Sequence, residues 1–484
     1  MIQNLLMRNF FYILIAVISL FTVSCEDDRI VSSSDVKLDF SVDAIRFDTV
    51  FTTVGSTTQH LKIYNPYDQK ILISSIRLAT GDNSSFKLNI NGVPANELFD
   101  VEILPKDSIY VFVEVTIDPK GMDLPFIVRD SIEFVTNANL QDVDLVAWGQ
   151  DVVLVRGNIT RSENWTAEKP YLVNSNIRVD SSAVLTIDPG THIYFHHGTG
   201  LYVKGKVVVE GTREQPVIFQ GDRLEDVYQN MPDQWNGILL LSGSHDNLLN
   251  YTEIKNANIG LQVGTIENDG FASVVLSNSR IYNHAYAGIF ALKSKIRAYN
   301  CLISNCGSYA VALLVGGEYE FYQSTIANYR SGFSAPSRLT SSLMISDHVI
   351  IEKENGENVK VAGILDKAYF ANCIITGNMT SGNELELAKV GEATFNYRFD
   401  HCLIQVSDTF NVADATHYRA ILKGVDPRFT NPGWSFELDT LSPAKDAGLS
   451  EIGRLFPFDI LNQSRTSDAA PDLGAYERIE KISD

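Results

Sequence analysis

Apolar and polar positions alternate strictly from Ser108 to Ile117, with Ile109, Val111, Val113, Val115 and Ile117 sharing one face. A period of two predicts a strand buried on one side. Shorter apolar pairs recur at Leu61/Ile63, Ile71/Ile73, Ile132/Phe134 and Val143/Leu145, among the turn formers Asn65-Pro66, Gly81-Asp82-Asn83 and Asn91-Gly92. Asn tolerates left-handed backbone, Gly adopts it freely and Pro cannot continue a ladder, so each cluster breaks a strand. Several short strands within residues 37–150 predict a β-sandwich.

The texture changes near Val155. β-Branched runs become brief, Gly or Pro interrupts them every several residues, and a slot pattern emerges. Ile254, Ile281, Ile303, Ile326, Ile375 and Ile404 each follow a small residue two positions earlier: Thr252, Ser279, Cys301, Ser324, Cys373 and Cys402. Four of these Ile are followed two positions later by Asn256, Asn283, Asn305 and Asn328. Successive spacings of 27, 22, 23, 49 and 29 residues predict one solenoid coil each, with two coils in the long interval. In a parallel β-helix the same slot stacks about every 4.8 Å, so inward Ile forms a continuous apolar ladder and Thr, Ser or Cys fills the narrower slot. Asn suits a coil corner, where it tolerates left-handed geometry and its amide hydrogen-bonds to the Asn stacked above. Cys301, Cys373 and Cys402 are thereby expected in the core. Cys306 has no slot, which leaves the surface open to it. Glu253 and Arg280, one position off the ladder, are expected to face solvent, where substitution is nearly silent.

Particular phrases resemble known folds. The stretch from Ile63 to Leu88, followed by Leu104–Pro119, resembles the immunoglobulin-like spacer domains of exported bacterial proteins, which implies a stalk. LTIDPGT (Leu185–Thr191) and VEGTREQPVIF (Val209–Phe219) resemble the opening coils of right-handed parallel β-helix proteins of the pectate-lyase type. That resemblance implies a β-helix over 155–410, and Trp235-Asn236-Gly237-Ile238 looks like the Trp-containing turn that opens a coil in such proteins. Asp426–Leu438, Leu441–Gly448, Phe458–Arg465 and Ala470–Glu477 resemble, in order, the recurrent end-piece of surface β-helix proteins, here over 420–480. Asn462 stands where that end-piece often has Gly. Asp446, Asp459, Arg465, Asp472 and Glu477 are expected to pair with one another and to cap the open end of the coil stack, whose bare edge would template aggregation. The whole is therefore read as all-β: a sandwich, a right-handed parallel β-helix and a C-terminal cap.

The N-terminus concerns location. Residues 1–24 carry one cation, Arg8, ahead of an uncharged apolar run from Phe10 to Val23. Such a run is shorter than the roughly 20 residues of a membrane-spanning helix but suits a secretory signal. Thr22-Val23-Ser24-Cys25 then resembles a bacterial lipobox, which implies that Cys25 is lipidated as the mature first residue. Glu26-Asp27-Asp28 resembles the surface-export signal of Bacteroidetes lipoproteins. The resemblance implies an outer-membrane lipoprotein exposed at the cell surface, joined to its fold by a polar tether over 25–36.

Composition narrows the function only slightly. The 484 residues carry 39 Lys+Arg against 59 Asp+Glu, a formal charge of −20 with no basic run, which argues against nucleic acid as a partner. No GxSxG, P-loop or dinucleotide fingerprint is present. His196-His197 is the only adjacent His pair; neighbours on a strand face opposite ways, so the two are not expected to share a metal. Asp222, Arg223, Glu225 and Asp226 form a charged loop whose carboxylates offer oxygen ligands to Ca²⁺, but the spacing is not that of an EF-type loop and no cofactor is read from it. The resemblance to the fold implies a polysaccharide context: lyases on it pair Ca²⁺ or Arg with a basic residue, and hydrolases use carboxylates. Two functions stay open. One is a surface glycan-binding or scaffold protein; the other is a polysaccharide lyase or glycoside hydrolase.

Overall fold

A computed structural model describes residues 29–479, except 53, 120, 122–124, 267–269, 330–337, 354 and 380–381. The signal-like run and Cys25 lie outside the described residues. Two compact units divide the chain at Asp151/Val152.

The first unit is a sandwich of two five-stranded sheets. One orders Asp39–Phe40, Gln59–Tyr64, Ser108–Val115, Phe86–Ile90 and Val93–Pro94; the other orders Ala44–Phe51, Asn139–Gln150, Phe126–Thr136, Ile71–Leu78 and Glu97–Ile103. Pairing is antiparallel except between Ala44–Phe51 and Asn139–Gln150, which run parallel. The alternation from Ser108 onward sends Ile109, Val111, Val113 and Val115 into a core shared with Ile73, Ile76, Ile132, Phe134, Val143 and Leu145 of the facing sheet. At the Asn65-Pro66 turn the buried Asn65 amide donates to the carbonyls of Gln69, Ile103 and Leu104, supplying the donors that a chain reversal strips from the ladder.

The second unit is a parallel β-helix. Its first sheet stacks eleven strands, from Val153–Val155 to Leu422–Lys423, all parallel. Two further runs form the other faces: one from Glu163–Trp165 to Ser273–Ser277, the other from Ile177–Val179 to Ile259–Val263. They fuse where the long strands Ala287–Tyr299 and Tyr309–Tyr322 continue round a corner, turned by left-handed residues at Lys293 and at Val315 with Gly316. Parallel crossovers of this kind are right-handed.

The inward slot is continuous. Ile193, Phe219, Ile254, Ile281, Ile303, Ile326, Ile375 and Ile404 are successive register partners, all fully buried. Cys301, Cys373 and Cys402 sit beside them in the interior, each thiol donating to backbone carbonyls such as those of Tyr299, Ala371 and Asp400. Three sequence expectations are corrected. Thr325–Asn328 pairs directly with Ile374–Gly377, so the 49-residue interval is one coil bearing the hairpin His348–Glu352/Asn358–Ala362, not two coils. Cys306 is fully buried, its thiol bonded to Ser304 O at 3.3 Å and its N–H donating to Asn328 Oδ1 at 2.7 Å.

The third correction concerns the corners. Asn256, Asn283 and Asn305 do have positive φ, but their amides reach Gln229 O, Asn230 Oδ1 and Gly433 O rather than one another. Asn328 is outside the left-handed region and donates to Ser308 O. The stacked amides occupy the opposite corner, three positions before each Ile. There Tyr251, Asn278, Asn300, Gln323, Asn372 and His401 all adopt positive φ, and Asn300 donates to Asn278 and Asn278 to Asn250 at 3.0 and 2.9 Å.

The end-piece, expected over the open end, is seen packing laterally on the coils. It lies along the outer face of the first sheet, where Leu302, Ala327, Ile374 and Leu403 project outward and pack against Phe429, Phe436, Leu438, Ile460, Leu473 and Tyr476. Phe458 O accepts from Asn300, Leu449 is hydrogen-bonded both ways to Asn372, and Gly474 N–H donates to Asn372 O. Gly474 has φ +92° and its missing Cβ would meet Thr325 Oγ1 and Ile374 Cδ1, so only Gly permits this approach. The reason is compositional: Leu302, Ala327, Ile374 and Leu403 form an apolar row on the outer face of these later coils that needs cover.

Candidate functional site

The outer face of the first sheet is divided. From Leu302 onward, Leu302, Ala327, Ile374 and Leu403 alternate with small polar Ser304, Thr325 and Thr376, and this part lies under the end-piece. Below, the outward positions on the strands His192–Phe195, Val217–Gly221, Thr252–Lys255 and Arg280–Tyr282 are largely polar: His192, Tyr194, Gln220, Glu253, Lys255, Arg280 and Tyr282. Parallel register stacks them. Tyr194 faces Gln220, Glu253 faces Arg280, and Lys255 faces Tyr282.

These groups are mostly half-buried and bonded to one another. Tyr282 donates its hydroxyl to Glu253 Oε1. Tyr194 Oη lies 3.4 Å from His192 Nδ1. Burial pushes Tyr194 up, with Gln220 pulling the other way, and pushes Tyr282 up together with the Glu253 charge, so both phenols stay protonated. His192 is lowered by burial and by the Lys255 ammonium, against a smaller pull from Glu253, so its imidazole is neutral at neutral pH. Burial opposes the charge on Arg280, but Tyr476, Glu253 and Tyr282 outweigh it and hold the guanidinium protonated. This overturns the expectation for Glu253 and Arg280: they are not free surface positions but the seam between the polar cluster and the end-piece.

Along one side the loop 222–234 holds to the coils through Asn256 to Gln229 O at 2.9 Å and Asn283 to Asn230 Oδ1 at 3.1 Å. Arg223 pairs with Glu225 at 2.8 Å and stacks on the Tyr228 ring, so the charged loop is internally satisfied. Trp235 is buried against Phe195 with centroids 4.3 Å apart and donates to Lys255 O at 2.8 Å, which anchors the backbone of a site residue. Gly237 follows with φ +115°, and a Cβ there would strike Ile259 O. His196 and His197 sit in a turn, not a strand, so the opposite-face argument does not apply. Both are exposed, and His196 Nδ1 bonds Asp222 Oδ2 at 2.7 Å.

The acidic residues of the end-piece build turns around one buried cation. Arg465 pairs with Glu477 at 3.1 Å and donates to Gly474 O; Asp459 accepts the N–H groups of Leu461, Gln463 and Glu477; Asp472 accepts those of Asp446 and Arg478. Burial raises Glu477 to about 8 and Asp472 to about 6. Asn462 has φ +63°, the geometry a Gly would otherwise supply. Among the described residues no three His, Cys, Asp or Glu converge as a metal site.

A second polar surface lies on the fused sheet, a cleft of about 260 Å³ lined by Ser273, Lys295, Arg297, Glu318, Glu320 and Lys367. Its charges pair across the strands: Lys295 with Glu318 at 2.6 Å, and Glu320 with both Arg297 and Lys367. Pairs this exposed contribute little beyond solvation. The first-sheet cluster differs in being mostly half-buried, with burial raising Tyr194 and Tyr282 and lowering His192, and it is the stronger candidate of the two. Sequence reading missed it because its members are scattered over ninety residues, and only the coil register brings them together. His284, also unforeseen, is fully buried, with burial lowering it to about 3; its ring bonds Ala257 N and Ile254 O.

Residues 157–288 match the family described as the pectate-lyase like beta helix domain. No curated protein matches the chain in sequence. Among solved structures, a family 123 glycoside hydrolase from Clostridium perfringens is 12% identical, with 26% of each chain covered and a TM-score of 0.17. The chain thus spans about a quarter of that protein. The catalytic domain of a GH87 alpha-1,3-glucanase is similar over 75% of this chain and 87% of its own in a variant bound to tetrasaccharides (10% identity, TM-score 0.25), and over 77% and 88% when bound to nigerose (8%, 0.20). The matched domain covers the first half of the β-helix, and with it the polar half of the first sheet.

Proposed function

We propose that this protein is a lipid-anchored, surface-exposed β-helix that binds an extracellular polysaccharide on the polar half of its first sheet, with the sandwich as stalk. One observation carries the reading: the end-piece packs on apolar outer positions from Leu302 onward, and a stacked polar cluster of His192, Tyr194, Gln220, Lys255 and Tyr282, mostly half-buried, lies beside it with Glu253 at the seam. A sugar ring offers an apolar face to tyrosines and hydroxyls to charged and amide groups, and a cluster of these types, mostly half-buried, meets both needs. The resemblance of Cys25 and its flanks to a lipobox supports the anchor.

A second reading, a polysaccharide lyase or glycoside hydrolase, is favoured by His192. Kept neutral beside the cationic Lys255, its imidazole can accept a proton while the cation steadies a developing negative charge. The lipid-free ectodomain, incubated with a polysaccharide panel with and without Ca²⁺, separates the two. Retention without new reducing ends or 235 nm absorbance, weakened by Lys255→Ala, supports binding; cleavage abolished by His192→Ala supports the enzyme.

A further inference from the structure

The sandwich carries its own surface of unexplained chemistry. On the strand Ser108–Val115 the alternation that buries valines turns Tyr110, Phe112 and Glu114 outward. Tyr110 and Phe112 are each 41% exposed, although they sit on an inner strand of the sheet, where exposed aromatic area serves no fold. Their ring planes are nearly parallel, 16° apart with centroids at 6.0 Å. The neighbouring strand adds Tyr64, His60 and Lys62, whose ammonium lies over the Tyr64 and Tyr110 rings.

A cleft of about 400 Å³ adjoins Phe112, lined also by Lys87, Asn89, Pro94, Asn96 and Glu114. Register places Phe112 between His60 and Asn89, and Glu114 opposite Lys87. Asn89 Oδ1 has no partner within the fold. Flat rings edged by amides and by charges of both signs are the complement of one ligand class.

We infer that this face is a carbohydrate-binding platform for a neutral hexopyranosyl polysaccharide. Sugar rings of the polymer pack by their C–H faces against the exposed parts of Tyr110 and Phe112, and hydroxyls reach Asn96, Glu114 and Lys87 in the adjoining cleft. The polymer is neutral because Lys62 is engaged with the rings and Lys87 stands opposite Glu114, so no net positive field selects a polyanion. The platform is independent of the first-sheet cluster, and would make the sandwich a second point of attachment as well as a stalk.

The test uses the whole lipid-free ectodomain in native affinity gels containing hydroxyethylcellulose, galactomannan or polygalacturonate. Wild type is expected to be retarded by at least one neutral polymer. Tyr110→Ala/Phe112→Ala is expected to bind at least tenfold more weakly with an unchanged melting midpoint, and Lys255→Ala to keep the platform's share of the binding. Tyr110→Gln alone serves if the double variant melts early. Retardation by polygalacturonate only, unaltered binding by the double variant, or loss on Lys255→Ala alone would overturn the platform; the last would still support the first-sheet site. A dimer in light scattering that the double variant dissolves would also overturn it, by assigning the rings to self-association.

Discussion

Ile374→Ala tests where the end-piece packs. On a bare solenoid Ile374 would be a solvent-facing position, and its truncation would shift stability by no more than about 0.5 kcal/mol. Here it is fully buried among Leu302, Leu403, Leu473 and Ala475. The substitution removes three carbons, about 2.4 kcal/mol at roughly 0.8 kcal/mol per buried CH₂, and incomplete collapse of the space brings the loss to about 3 kcal/mol. The loss falls on docking of the end-piece, so local opening rather than global unfolding reports it. Hydrogen exchange followed by mass spectrometry reads the segment 458–477, where the Gly474 and Ala475 amides bond Asn372 O and Thr325 Oγ1. A loss of about 3 kcal/mol makes exchange there about a hundredfold faster, at tenfold per 1.4 kcal/mol. Ile350→Ala, on the exposed side of the hairpin, should leave it unchanged. Exchange over 458–477 that stays within threefold of wild type would refute lateral docking and return the end-piece to the open end of the stack.

Cys301→Arg should yield no folded protein, since an unpaired charge in the ladder costs several kcal/mol, whereas Cys301→Ala should fold; a soluble Arg variant with wild-type circular dichroism would break the register. His284 is lowered to about 3 against an ordinary 6.5. Its folded form thus resists protonation, so its contribution is whole above pH 6.5 and lost progressively as the pH falls towards 3, by about 1.4 kcal/mol per unit. Urea midpoints at pH 7 and 4.5 should therefore differ less in His284→Gln than in wild type, and an equal difference in both would contradict the assignment. Palmitate labelling of cells should mark wild type and not Cys25→Ser; label retained in the variant would remove the proposed anchor.

How far the sequence is legible depends on whether a signal repeats. Alternation from Ser108 and the Ile slot are periodic, so both name inward residues correctly, down to the Ile326↔Ile375 partners across the hairpin. Spacing alone misjudges that interval, because an inserted hairpin and an extra coil add similar lengths. The corner ladder is misplaced for a related reason. Asn is common at both corners, and only φ together with the Asn250–Asn278–Asn300 bonds shows which one stacks. Cys306 and the seam at Glu253 and Arg280 are governed by the end-piece and by neighbouring coils, contacts with no local trace. The first-sheet cluster is illegible for the same reason: His192 and Tyr282 share a surface only after four coils are stacked.

The most direct measurement is a hydrogen-exchange footprint of the ectodomain saturated with a polysaccharide that retards it. The proposed function predicts slowed exchange in peptides spanning 192–195, 217–221, 252–255 and 280–282, with no change at 302–304 and 374–377 beneath the end-piece. Protection at 108–115 would report the sandwich platform separately. Protection confined to 295–297 and 318–320 on the fused sheet, with none on the four first-sheet strands, would contradict the assignment of the binding face.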